Sequence, residues 1–297
     1  MVNRDITPTP KILCVIVHFG SVDDTVHCLH SLASDIPLDI VVVDNDPTQS
    51  LTLPPGLSEH CLTIRSGGTM SFADANNLGV KAAGEAHYQY VLLLNNDTVV
   101  ESGAIAALRD TFIDDTVGVA GPAVPFYDNP NALWACGGTV SRWAVTIDGI
   151  RKLPATPIAD VDYMPGAALM TRMSLWREIG GLPTDYFLAF EEAHFALEAK
   201  KRGYRVVVNT TSRILHKVGM SSDRQPMYYY NTVRNRMRFG RYLFGGGLGA
   251  CLGALSGLIR SYTPQRLKLW FVAVGDELSG KALNQAALFG IRDRFAR

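Results

Sequence analysis

Apolar positions along the chain fall into two recurring patterns. "KILCVIVHF" (11–19) is a continuous apolar run, as expected of a strand covered on both faces. After it, apolar residues recur at helical spacing as Val22, Val26, Leu29 and Ala33, with Asp23 or Asp24 available as a cap. "DIVVVDN" (39–45) predicts a second strand, residues 72–83 a helix, and "YVLLLN" (90–95) a third strand. Ser102 is expected to cap a further helix with Ile105, Leu108 and Phe112 on one face, and "VGVAG" (117–121) to form a short strand.

The pattern changes between 122 and 165, where Pro, Gly and Trp interrupt short β-like pieces and predict loops or hairpins. "GAALMTR" (166–172) reads as another buried strand. Ser174 then starts a short helix that Gly180-Gly181 ends. "EEAHFALEAKKRG" (191–203) is a helix with Glu in its first turn, Lys and Arg in its last, and Gly203 just beyond. "YRVVV" (204–208) follows as a strand, and from about Tyr228 the chain reads as helical and basic. Strands alternating with helices predict an α/β fold, with a parallel sheet covered on both faces.

Composition narrows the field. At 297 residues the chain can form one large domain or a domain with an appendage. With 28 Lys plus Arg against 28 Asp plus Glu, net charge gives no reason to expect a nucleic acid as partner. The five cysteines are scattered and form no CxxC pair, which implies reduced thiols and a cytoplasmic protein. The first residues lack the apolar core of a signal peptide. Tyr242 to Ile259 is uncharged, but it is barely long enough to span a bilayer and rich in glycine. It predicts a Gly-rich loop leading into a packed or membrane-surface helix.

In an open parallel sheet, ligands bind beyond the carboxyl ends of the strands. His18, Asp44-Asn45-Asp46 and Asn95-Asn96-Asp97 fall at such ends. A dinucleotide fingerprint is absent: "HFGSVDD" after the first strand has one glycine and two acids. Carboxylates at strand ends suit Mg²⁺ or Mn²⁺ bound together with substrate phosphates. Taken alone, Asn95-Asn96-Asp97 serves equally well as a polar turn before the next helix.

The order of "ILCVIVHFGSVDDTVHCLHSL", "IVVVDNDPTQS", "NNLGVKAA", "VLLLNNDTVV", "PGAALMTRMSLWREIGGL", "FLAFEEAHFALEAKKRGYRV" and "ILHKVGMSS" carries more weight than any one of them. With "YYYNTVRNRMRF" after them, the chain resembles the inverting family-two glycosyltransferases of GT-A fold, in particular the bacterial rhamnosyltransferase-like group. The resemblance covers about residues 10 to 240. It implies a GT-A domain over 1–240 and a helical extension over 241–297.

The resemblance also implies site roles. Asp44 would contact the base or ribose of a nucleotide-sugar, with His18, Phe19 and Asn45 in the same pocket. Asn76 and Asn77 belong to a nucleotide-side loop in which Ala75 replaces the usual glycine. Asn95, Asn96 and Asp97 stand where the group carries its metal-binding acids, with Asp97 the principal ligand of Mg²⁺ or Mn²⁺, Asn95 a weaker one and His216 a later ligand. Gly166 and Ala167 belong to the floor beneath the sugar. Glu192 falls where the catalytic aspartate usually sits, beside Glu191, and His194 replaces a second acid; any of the three could be the base that takes the acceptor's proton. Trp134, Trp143 and Trp176 are candidates for stacking on sugar rings, with packing roles expected of at least two.

The activity implied is metal-dependent, inverting transfer of a hexose or deoxyhexose. The donor would be dTDP-rhamnose or a UDP-sugar, and the acceptor a hydroxyl on a glycan, lipid-linked or small-molecule partner. The usual setting of such enzymes is polysaccharide or other glycoconjugate assembly, with tailoring of a small natural product as the other setting at this length. Arg234, Arg238 and Arg241 recur at helical spacing, with Arg236 off that stripe, and read as a solvated basic face or one drawn to anionic membrane or to a lipid-diphosphate acceptor. Peripheral membrane contact by the C-terminal region and a homodimer are further expectations. Two rivals stand beside this reading. A nucleotidyltransferase would need a Gly-rich basic loop after the first strand, and the altered "EEAH" leaves room for a non-catalytic nucleotide-sugar-binding homologue.

Overall fold

The computed structural model describes residues 11–32, 36–68, 70–218, 225–261 and 263–281. The chain opens with β1 (Ile12–His18), α1 (Val22–Leu32), β2 (Asp39–Asp44), the single turn α2 (Pro55–Ser58) and β3 (Cys61–Arg65). Next come α3 (Phe72–Ala83), β4 (Tyr90–Asn95), β5 (Thr98–Val100) and α4 (Ala104–Thr111). β6 (Val117–Pro125) is followed by four short strands, β7 (Leu133–Ala135), β8 (Gly138–Ser141), β9 (Thr146–Gly149) and β10 (Ile158–Asp160). Then come β11 (Ala168–Arg172), α5 (Met173–Ile179), α6 (Glu191–Lys201) and β12 (Arg205–His216). Helices α7 (Gln225–Phe244), α8 (Gly246–Ile259) and α9 (Pro264–Leu278) complete the described chain.

The main sheet runs β10-β12-β6-β11-β4-β1-β2-β3. β3, β2, β1 and β4 are parallel, as the alternation predicts, while β11 reverses direction between β4 and β6. Period-two alternation places successive residues of each strand on opposite faces. Leu13, Val15, Val41, Val43, Leu93 and Leu169 therefore pack on one face with α3, α5 and α6. Ile12, Cys14, Ile16, Val42, Leu92 and Met170 pack on the other with α1 and α4.

Three local expectations change. β3 is not announced by the hydrophobic pattern because it is an edge strand paired only with β2, leaving Leu62 exposed. Ser102 does not cap α4: the N-cap is Gly103 at φ +80°, with no side-chain hydrogen bond. The Gly-rich stretch is helix rather than loop. A Cβ at Gly240 of α7 would collide with the Gly249 carbonyl of α8, one at Gly249 with the Gly240 carbonyl, and one at Gly253 with the Arg236 carbonyl. Its glycines thus bring α7 and α8 into backbone contact. Among the described residues no helix is long and apolar enough to cross a membrane.

The arginine stripe also differs from expectation. Arg234, Arg238 and Arg241 all turn inward onto Glu277 of α9, at 3.0, 3.0 and 2.6 Å, and Arg234 is fully buried. Tyr230 extends the network, accepting from Arg234 at 2.9 Å and donating to Asp276 at 2.8 Å. The stripe is an ion cluster that fastens α9 to α7 around the buried Glu277, rather than a face of free charges. Helix α7 itself runs across residue 240.

Candidate active site

A cavity of about 790 Å³ opens at the carboxyl end of β4. Asn95, Asp97, Gly166, Ala167, Glu191, Glu192 and His216 line it, so strand ends far apart in sequence converge there. Two pairings bring them together. Ala168 of β11 pairs with Leu94 of β4, and the Asn95 amide donates to the Ala167 carbonyl at 3.0 Å. His216, the last residue of β12, pairs with Thr98 of β5.

That second pairing sets His216 Nε2 at 3.1 Å from Asp97 Oδ1. The Trp134 ring stands edge-on to His216, with centroids 4.5 Å apart, and also lines the cavity. Trp176 is instead core, and Trp143 is exposed beside Phe244. Asp97 and His216 offer one carboxylate and one imidazole to a cation, with the Asn95 amide on the same wall. Among the described residues no group of three or more acids, histidines or cysteines could enclose a metal. The donor set fits an ion whose remaining positions are taken by phosphate oxygens and water, as Mg²⁺ prefers.

The glutamates enter from an unusual turn. Ala189 and Phe190, immediately before α6, both have positive φ, at 68° and 81°. Such conformations cost energy in non-glycine residues and persist only where the surroundings hold them. Here the fully buried Asn235 of α7 donates to the Leu188 and Ala189 carbonyls at 2.7 and 3.0 Å, and Glu191 Oε1 accepts the Ala189 amide at 3.1 Å. Glu192 Oε1 accepts the Gly166 amide at 2.9 Å. The second oxygen of each glutamate is buried and without a protein partner. Burial raises both carboxyls above the ordinary glutamate range, and the nearby Glu192 raises Glu191 further.

His194 does not share this cavity. Its ring lies against Tyr242, its Nδ1 is 3.1 Å from Tyr186 Oη, and burial lowers its pKa to about 4.

Other predicted residues form a separate group at the ends of β1 and β2. Asp44 is buried and accepts from Arg65 at 2.7 Å and from the Leu51 amide at 3.0 Å. Asn45 joins the start of the 66–70 segment to its end, accepting from Ser66 at 2.6 Å and donating to the Met70 carbonyl at 3.0 Å. Phe19 is half-buried beside them. His18 Nδ1 is 2.7 Å from Thr25 Oγ1, its Nε2 is buried without a partner, and burial lowers its pKa against the pull of Asp44 and Asp46. Asp46, noted only as part of the strand end, is held at about pH 2: burial opposes ionisation, but donors from Thr48, Gly20 and Gln49 outweigh it.

Three predicted amides turn into the protein. Asn96 donates to Thr25 at 2.9 Å and to the Phe19 carbonyl at 3.3 Å, tying the β4 end to α1. Asn77 exchanges two 2.9 Å hydrogen bonds with the Leu182 backbone, and Asn76 donates to the Phe72 carbonyl at 2.9 Å. In the other direction, the sequence did not single out Asp148, Tyr228, Tyr229, Arg260 or Arg266 as lining the cavity.

Comparison with known proteins supports the same architecture. The description "Glycosyltransferase like family 2" matches residues 10–240, most of the chain. The chain belongs to this glycosyltransferase family. A hexosyltransferase of low-salt glycan biosynthesis from Haloferax volcanii, Agl10, is 25% identical over 244 residues, covering 77% of this chain and 75% of Agl10. Uncharacterised mycobacterial proteins, among them one from Mycobacterium bovis, are 24% identical over 221 residues, covering 70% of this chain and 75% of theirs.

Among solved structures, GalNAc-T7 with UDP, GalNAc and Mn²⁺ aligns with a TM-score of 0.60 at 16% identity, over 77% of this chain but only 47% of its own. The mannosyltransferase PcManGT from Pyrobaculum calidifontis, in complex with GDP-Man and Mn²⁺, aligns at 0.55 and 14% identity, over 98% of this chain and 81% of its own. Staphylococcus aureus TarS 1–349 with UDP-GlcNAc aligns at 0.56 and 14% identity, over 92% and 82%. The chain has the GT-A glycosyltransferase fold, a mostly parallel sheet flanked by helices, with C-terminal helices added.

Proposed function

We propose that this family member is a metal-dependent, inverting glycosyltransferase moving a hexose or deoxyhexose from a nucleotide-sugar to an acceptor hydroxyl. The observation that carries the reading is one cavity lined by both the Asp97–His216 pair and Glu192. Asp97 and His216, with Asn95 beside them, would hold Mg²⁺ or Mn²⁺. When bound, that ion offsets the charge gathering on the leaving nucleoside diphosphate.

Glu192 is the proposed base. Its Oε1 is anchored by the Gly166 amide of the sugar floor, and Oε2 has no protein partner and is the oxygen proposed to take the proton. The acceptor oxygen forms its bond to the anomeric carbon from one side as the bond to the donor phosphate breaks on the other. The hydroxyl proton passes to Glu192, and the departing electron pair stays on the nucleoside diphosphate. The configuration at carbon is thereby inverted. Glu191, more deeply buried and fastened to its own turn, positions the start of α6. A UDP- or dTDP-activated sugar, dTDP-rhamnose included, is the donor class proposed.

The test is calorimetric titration of the protein with UDP, dTDP and GDP, each with and without Mn²⁺, on wild type and Asp97→Ala. Metal-dependent binding of one diphosphate, lost in the variant, is the expected result. Failure of folded wild-type protein to bind any of them with metal present would overturn the donor site.

A further inference from the structure

Helix α7 carries two sets of arginines with opposite fates. Arg234, Arg238 and Arg241 share the Glu277 carboxylate. Arg236 points elsewhere, into the cavity, where Arg260 at the end of α8 and Arg266 of α9 join it. Among the described residues neither Arg236 nor Arg260 has a carboxylate within ion-pairing distance, and the guanidinium of Arg260 makes one long hydrogen bond, of 3.4 Å, to Ser256. Arg236 Nε is buried and has no partner among the described residues. Burial, then the like charge of Arg260, lowers the Arg236 pKa to about 10, and Asp148 pulls the other way only weakly.

Half-burying an unpaired guanidinium beside another costs free energy that folding alone does not require. The same helix shows that a carboxylate partner is easily supplied. Such uncompensated charge in a cleft marks a place for a ligand of opposite sign, and planar guanidinium groups suit phosphate oxygens in particular. The arginines come from the C-terminal helices and sit with Tyr229, whose ring lies 5.4 Å from the Arg266 guanidinium. Asp97 and His216 come from strand ends and sit with Trp134.

We propose that Arg236, Arg260 and Arg266 form an anion subsite for the acceptor, and that the acceptor carries a phosphate or diphosphate ester near its reacting hydroxyl. The inference rests on the glycosyltransferase reading above and specifies its acceptor class. Both a soluble sugar phosphate and a lipid diphosphate have this chemistry. Exposed Leu255, Ile259 and Phe271, on the helices that carry Arg260 and Arg266, make the lipid source worth a separate arm.

The experiment fills the donor site first with a saturating nucleoside diphosphate and Mn²⁺. It then titrates farnesyl diphosphate, inorganic pyrophosphate and farnesol into wild type, Arg236→Gln and the pair R260Q/R266Q, each checked for native circular dichroism. Binding of the diphosphate probes is expected, weakened about ten-fold or more in both variants, with nucleoside diphosphate affinity changed less than two-fold and farnesol silent. Farnesyl diphosphate binding tighter than pyrophosphate assigns a lipid source; equal binding assigns a soluble phosphate. The subsite is overturned if neither diphosphate probe binds once the donor site is full. It is also overturned if the variants weaken the nucleoside diphosphate equally, since the arginines would then serve the donor. A nucleoside diphosphate that binds none of the proteins defeats the transferase reading, and this inference with it; one that binds while the probes do not defeats the subsite alone.

Discussion

The amide of Gly166 donates to Glu192 Oε1 at 2.9 Å, and a Cβ at position 166 would collide with that same oxygen. The glycine is therefore a spatial requirement of the carboxylate, not of the backbone. Gly166→Ala is expected to push Glu192 off its anchor and lower kcat by about 10²-fold, the scale of an ångström-sized misplacement. Steady-state kinetics with native circular dichroism checks it; an unchanged kcat would separate Glu192 from the chemistry.

Glu192→Gln keeps the shape and the hydrogen-bond acceptor but removes the base. Turnover should fall by about 10²–10⁴-fold, with donor binding retained. Because burial raises the Glu192 carboxyl above its ordinary value of 4.5, wild-type kcat/KM should rise with pH through a limb lying above that value. A pH–rate profile flat down to the ordinary glutamate range would contradict this.

Glu191 has the opposite consequence for stability. Its pKa is raised in the folded protein, so its favourable contribution is complete below the unfolded value of about 4.5 and is lost as pH rises through the folded pKa. Above the unfolded value, as at pH 8, holding this buried carboxyl protonated or ionising it opposes folding. Glu191→Gln should therefore raise Tm there by about 3 °C, with the gain disappearing near pH 4. Thermal melts across pH decide the matter.

Asn235 reaches from α7 to hold the Leu188 and Ala189 carbonyls of the positive-φ turn. Asn235→Ala removes the side-chain donor to both carbonyls of this partly buried turn, at a cost of about 1–3 kcal/mol. It should depress kcat more than donor affinity, because the turn aims α6 while the donor-side groups stand on other elements. Denaturant unfolding and a separate donor titration read the two effects.

Glu277 is held below its ordinary range: burial opposes this, and Arg241, Arg238 and Arg234 prevail. Its depressed pKa contributes stability that is present above about 4.5 and lost as pH falls through the folded value. Glu277→Gln should cost about 3 kcal/mol at neutral pH by leaving the arginines uncompensated. The difference from wild type should narrow in acid, as urea unfolding at pH 7 and pH 4 would show.

Much of this molecule follows from local pattern. Continuous apolar runs become the buried central strands β1, β2 and β4, residues 72–83 become α3, and Gly180 ends α5 at φ +90°, because these depend on side-chain periodicity and a permissive backbone. Asp97, His216, Glu191 and Glu192 were singled out through the order of motifs in a family resemblance, since a strand-end histidine or two glutamates in a first helical turn are ordinary by themselves. Their meeting in one cavity was not legible in the sequence.

That convergence depends on contacts without a local signature. A register shift in β12 between Asn209 and Arg213 carries its end to β5 and so sets His216 against Asp97. Periodicity on α7 likewise grouped Arg234, Arg238 and Arg241 correctly on one face. Only the docking of α9 turned that face onto Glu277 and left Arg236 in the cavity. Helical spacing specifies which residues share a side; whether that side meets water, a carboxylate or a ligand depends on partners dozens of residues away, and burial and charge pairing take their sign from that choice.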